Sequence, residues 1–161
     1  MKQTQRLAWM KHAWLFLLLA SCGGPARPPL AVTSTSFAAG GPMTADKTVQ
    51  LSWSGAPAGT KEFALVCDDP DAPTSKPFVH WLLAKLSKPE PTGGVAGRND
   101  FGDNGYGPPE PPAGQTHHYH FRVYALDTAL DLKPGFSRDE LVNAMANHII
   151  AEGEIVGTFR R

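Results

Sequence analysis

Phe63-Ala64-Leu65-Val66-Cys67-Asp68-Asp69-Pro70-Asp71-Ala72-Pro73, a short polar link, then Phe78-Val79-His80-Trp81-Leu82-Leu83-Ala84-Lys85-Leu86 decide the fold of this 161-residue chain. Two apolar runs flank a knot of three aspartates and two prolines. Short runs rich in Val, Leu and Phe, ended by Asp and Pro, predict strands. The missing polar alternation predicts burial of both faces. Strand parity puts His80 on the face of Leu82 and Ala84. Carboxylates at a strand end beside an imidazole make a candidate concave site. The other reading is a proline-fixed turn whose aspartates cap backbone donors.

A second stretch bears on that choice. Asn104 to Gln115 is a Gly/Pro loop that feeds Thr116-His117-His118-Tyr119-His120-Phe121-Arg122-Val123-Tyr124-Ala125-Leu126. His117, Tyr119, Phe121, Val123 and Ala125 share one strand face, and His118, His120, Arg122 and Tyr124 the other. The first set is apolar beyond its two leading members, so it predicts a core face with His117 and Tyr119 at its mouth. The second set predicts a solvated face.

Asp69-Pro70-Asp71-Ala72-Pro73 together with His117-x-Tyr119-x-Phe121 resembles the phosphatidylethanolamine-binding protein family, whose animal members include the Raf kinase inhibitor protein. The likeness is to the short bacterial branch. Leu51-Ser52-Trp53-Ser54-Gly55-Ala56-Pro57, Gly97-Arg98-Asn99-Asp100-Phe101-Gly102 and Ile155-Val156-Gly157-Thr158 extend it over roughly Ser34 to Arg161. The resemblance implies a large central antiparallel sheet against a smaller one, with few peripheral helices. It implies a pocket for small anions such as phosphate, or for phospholipid headgroups, formed by Asp69, Asp71, Pro73, His80, Pro111, Pro112, His117 and Tyr119. In such a pocket the imidazoles and the phenol donate hydrogen bonds, Asp69 orients an imidazole, and the prolines wall the site. Some relatives regulate a protease or kinase, so a protein partner is implied without being named.

Two departures from the family pattern stand out. His118 replaces the usual Arg, and parity sends it to the face opposite the pocket. Glu110 stands where relatives have Gly or Cys, and a carboxylate at the mouth would repel a phosphate. Neither core motif holds a Lys or Arg to serve as a fixed cation.

The front of the chain reads as an address. Residues 1–21 combine Lys2, Arg6 and Lys11 with the apolar run Ala13-Trp14-Leu15-Phe16-Leu17-Leu18-Leu19-Ala20. That layout predicts a signal peptide, and the run falls short of the ~20 residues that span a bilayer. Leu19-Ala20-Ser21-Cys22 resembles a bacterial lipobox, so Cys22 is the expected lipid acceptor and the membrane a partner through that lipid. Gly23 after it fits the outer membrane facing the periplasm. Residues 22–36, rich in Gly, Pro, Ala, Ser and Thr, predict a flexible tether, and residues 37–161 the domain.

Acids and bases balance at 15 each, and removing the signal segment leaves 12 bases against 15 acids. A mildly acidic chain argues against nucleic acid as a partner. With Cys22 acylated, Cys67 is the one remaining thiol, and its apolar run predicts an inert core residue.

Val49-Gln50-Leu51-Ser52-Trp53 alternates as a half-exposed strand. Ser87 to Asn104 predicts a long functional loop. Ser137 and Glu140 predict a capping box with Phe136 stapled to Leu141. The stripe Leu141, Met145, His148, Ile149 carries that helix toward Gly153, with His148 as a packed histidine. Glu154 to Phe159 predicts a last strand.

The rival function is a hydrolase or metal-dependent enzyme using Asp69, His80 and His117. The chain lacks a Gly-x-Ser-x-Gly elbow and a His-Glu-x-x-His helix. His118-x-His120 has no acidic third ligand at close spacing. The expectation is therefore a binding protein without a cofactor.

Overall fold

The computed structural model describes residues 27–161. The signal segment and Cys22 lie outside the described residues. The first strands are β1 (Ala31–Ser34), β2 (Leu51–Ser54), β3 (Glu62–Asp69) and β4 (Phe78–Leu86). β5 (Val95–Ala96), β6 (Thr116–Leu126), α1 (Arg138–Met145) and β7 (Ile149–Arg160) complete the order. The strands form an antiparallel five-stranded sheet in the order β5-β4-β3-β6-β7 and a two-stranded sheet of β1 and β2. The mainly β, two-sheet expectation holds.

β3 is buried at all eight positions, which is why its sequence shows no polar alternation. Its two faces feed two cores. Leu65 and Cys67 pack with Phe121, Val123, Trp81, Trp53 and Phe37 on the side of the small sheet. Ala64 and Val66 pack with Leu82, Leu126, Phe136, Leu141 and Met145 on the helix side. A large apolar side chain buried this fully contributes about 1.5–3 kcal/mol.

α1 begins as its sequence predicts. The Ser137 hydroxyl accepts from the Glu140 N–H, and the Glu140 carboxylate accepts from the Ser137 N–H. It stops earlier than predicted. Asn147 sits at φ 66° and turns the chain directly into β7. Asn tolerates that left-handed conformation and ends the helix. His148 is consequently no core histidine: it is about half exposed and pairs with Asp127 at 2.9 Å.

Gly153 lies inside β7, not at a helix end. A side chain there would collide with the Leu30 carbonyl, and one at Gly157 with Met43. These glycines let residues 29–43 lie across β7. Leu30 N–H donates to Glu152 O at 2.8 Å and Met43 N–H to Thr158 O at 2.7 Å. The tether expected through residue 36 is thereby corrected. Leu30 is 4% exposed and β1 pairs with β2, so the packed chain begins near residue 30.

Candidate functional site

The three aspartates of the opening stretch part company because strand neighbours face opposite ways. Asp68 turns to the helix side, where Arg122 Nη1 donates to it at 2.7 Å and Arg138 Nη2 at 3.0 Å. Asp69 turns to the small-sheet side, where His117 Nδ1 donates to its Oδ2 at 2.7 Å. Its Oδ1 accepts from the Asp71 N–H at 2.8 Å and fixes the turn. Asp71 leaves the strand and takes His118, whose N–H and Nδ1 both donate to Asp71 Oδ2 at 2.8 and 2.7 Å.

His80 reaches the same place by a different device. Cys67 pairs with Trp81 and Asp68 with Val79, so His80 is the extra residue of a β-bulge. The bulge shifts parity. Val79 joins Leu82 in the helix-side core, while His80 packs against Tyr119 with ring centroids 5.0 Å apart. The expectation that His80 shares the face of Leu82 and Ala84 is corrected: it stands with Asp69 and His117.

The loop after β5 holds this arrangement. Asp100 accepts from the Val79 N–H at 2.7 Å, and Gly107 N–H donates to His80 O at 2.8 Å. His80 Nδ1 donates to Gly107 O at 2.9 Å. A carbonyl only accepts, so the neutral ring carries its proton on Nδ1. Nε2 has no hydrogen-bond partner among the described residues. Phe78 and Phe101 flank the ring with centroids at 5.2 and 5.3 Å. Burial pushes the His80 imidazole below its usual pKa, and the Gly107 carbonyl, the Asp69 and Asp100 charges and, least, the Pro108 carbonyl oppose it.

These residues enclose a cavity of about 420 Å³ bordered by Asp69, Pro73, His80, Pro111, Pro112 and His117. Six of the eight residues singled out in the sequence therefore meet at one place. Tyr119 lies behind His80, 1% exposed, and its hydroxyl finds no protein partner among the described residues. Burial raises its pKa. Tyr119 does not border the cavity, and neither does Asp71. Its carboxylate is turned to His118, and that hydrogen bond holds its pKa below the usual range.

His117 is engaged at both nitrogens. Nδ1 meets Asp69, and Nε2 lies 3.2 Å from Gln115 Oε1. Among the described residues, His80 Nε2 is the imidazole nitrogen left without a hydrogen-bond partner in the cavity wall.

Arg161 also borders the cavity, and sequence reasoning missed it. Its Nη1 donates to Glu110 Oε1 at 3.3 Å. The pairing of Thr116 with Arg160 brings the end of β7 beside the start of β6. Pairing the last strand with β6 would have exposed this neighbour. Phe101, 43% exposed at the rim, is a second omission.

Cys67, fully buried, has its thiol pKa pushed well up by burial, as expected of an inert core residue. No three His, Cys, Asp or Glu side chains are grouped to hold a metal among the described residues.

A five-stranded sheet backed by a small sheet, with a proline-walled cavity at the joined ends of β3, β4 and β6, defines the class of domain. The chain belongs to the phosphatidylethanolamine-binding protein family, whose profile matches residues 33–160. It is 44% identical over 124 residues to a UPF0098 protein of Methanothermobacter thermautotrophicus, covering 69% of this chain and 81% of that one. It is 38% identical over 156 residues to LppC of Mycobacterium tuberculosis, whose name marks it as a candidate lipoprotein, covering 87% of this chain and 77% of that one. The crystal structure of Escherichia coli YbcL superposes with a TM-score of 0.76 at 32% identity, covering 83% of this chain and 99% of that one.

Proposed function

We propose that this protein is a binding protein, not an enzyme, whose cavity takes a small oxyanion, either free phosphate or the phosphate of a phospholipid headgroup. The observation that carries the reading is His80 Nε2, an imidazole nitrogen without a hydrogen-bond partner among the described residues, in a cavity that Arg161 also borders. Protonated, His80 would donate to an anion from within a partly apolar wall, where charge-assisted hydrogen bonds are strong. Arg161 supplies the fixed cation that the two motifs lack. Pro111 and Pro112 shape the wall without a competing N–H. Against catalysis, the one thiol of the described chain is sealed in the core, and the one hydroxyl side chain bordering the cavity, Thr74, is spent on the Lys76 carbonyl at 2.6 Å.

Attachment to the cell envelope through a lipid on Cys22, with the domain facing the periplasm, belongs to the same proposal. The lipobox-like junction and the name of the LppC relative support it. No helix of the described residues is long and apolar enough to cross a membrane.

Calorimetry with sulfate at pH 6 tests the binding reading. One site per chain is expected, weakened at least tenfold in His80→Gln, the loss of one charge-assisted hydrogen bond. A parallel titration with soluble short-chain phosphatidylglycerol separates a headgroup from a free ion. Absence of heat with both ligands would contradict the reading.

A further inference from the structure

Glu110 and Arg161 face each other at the rim of the cavity, on the Pro-rich loop and just past the end of β7, with Arg161 Nη1 3.3 Å from Glu110 Oε1. The segment carrying Arg161 is fixed by its backbone: Gly114 N–H donates to Arg161 O at 2.7 Å, and Arg161 N–H to Gln115 O at 3.4 Å. The two side chains are more than half exposed, 57% for Arg161 and 62% for Glu110. An exposed pair of that kind contributes little net stability, so it opens easily. A carboxylate on a tethered loop nonetheless competes for the guanidinium at a high effective concentration.

We propose that Glu110 and Arg161 form an ionic latch: Arg161 recognises the incoming oxyanion, and Glu110 is its built-in competitor, which the ligand must displace. The inference rests on the anion-binding reading of the cavity. The latch admits an anion with several acceptor oxygens, one set for Arg161 and another for His80 on the cavity wall. The planar guanidinium fork matches carboxylate and phosphate alike, so Glu110 occupies the seat the ligand will take. Glu110 then raises the ligand concentration needed for occupancy instead of barring anions outright.

The test is calorimetry on the full chain in detergent, with sulfate and with soluble short-chain phosphatidylglycerol. Wild type is compared with Glu110→Gln and Arg161→Gln. Glu110→Gln should tighten the ligand that binds wild type by about three- to fivefold, the strength of an exposed ion pair. Arg161→Gln should weaken it by about tenfold. Arg161→Lys should recover only part of that loss, because an ammonium lacks the fork. Both residues are exposed, so thermal melts of the variants should match wild type. Wild-type binding that Glu110→Gln leaves unchanged or weakens overturns the latch alone. No binding of either ligand by wild type or any variant overturns the anion reading and the latch with it.

Discussion

His117 and Asp69 make a 2.7 Å contact with side chains 3% and 4% exposed, while His118 and Asp71, one strand position and one turn away, make a contact of equal length with side chains 53% and 41% exposed. The imidazole–carboxylate distance is matched, and the largest difference is solvation. Removing one partner from the buried pair strands a polar group away from water, which the exposed pair never does. Asp69→Ala should therefore lower the unfolding free energy by about 3 kcal/mol, and Asp71→Ala by less than about 1 kcal/mol. Urea denaturation reads both. Equal losses would show that burial does not separate the two pairs.

The pH dependence of stability follows from His80. Burial holds its folded pKa below the unfolded value, so the unfolded chain binds the proton first. The contribution of neutral His80 is complete above the unfolded pKa of about 6.5 and is lost as pH falls through it toward the lowered folded value. The difference in stability between wild type and His80→Gln should shrink as pH falls from about 7 to 5. A difference that grows in that interval would give the shift the opposite sign. On the proposed binding reading sulfate reverses the trend, because it would bind the protonated ring: its affinity should rise as pH falls, and at pH 7 binding should take up protons.

Pro112→Ala should leave the fold intact, since Pro112 is exposed, yet weaken sulfate by a few-fold through loss of loop pre-organisation. Calorimetry with an unchanged dissociation constant would remove this proline from the binding wall.

The segment lying over β7 depends on two glycines. Gly153→Val places side-chain atoms against the Leu30 carbonyl, a backbone atom that cannot rotate away. Overpacking of this kind costs about 1–3 kcal/mol. Hydrogen exchange should accelerate at Leu30 and in β1 before it does in β3. Uniform exchange across the domain would mean that the segment is not a separable layer.

Much of this was legible in the chain and some was not, for identifiable reasons. The capping box at Ser137 and Glu140 is a local contact, so three residues suffice to predict it. The inward set of β6 follows from parity within one strand. His80 escaped parity because a bulge depends on how β3 and β4 pair, and one strand carries no record of its partner's register. Asn147 ended the helix although Gly153 offered the stronger sequence signal. Residues 30–36 looked like a linker by composition, yet they pack because glycines far along the chain leave room for them. Arg161 sits 44 positions from His117 in sequence and meets the cavity only through the β6–β7 ladder.

For the membrane attachment, Cys22→Ala should move the protein from the membrane fraction to the soluble periplasmic fraction. Each buried CH₂ of an acyl chain contributes about 0.8 kcal/mol, so several chains hold firmly and none holds not at all. Wild type recovered in the soluble fraction would contradict the anchor.

His80 Nε2 is the proposed seat of the anion. Nitrogen-15 NMR of the histidine side chains, recorded at pH 7 while sulfate is added, addresses that atom directly. His80 Nε2 should change from an unprotonated to a protonated nitrogen as sulfate saturates the site, with Nδ1 keeping its proton on the Gly107 carbonyl. Saturation with sulfate that leaves His80 Nε2 unprotonated would contradict it.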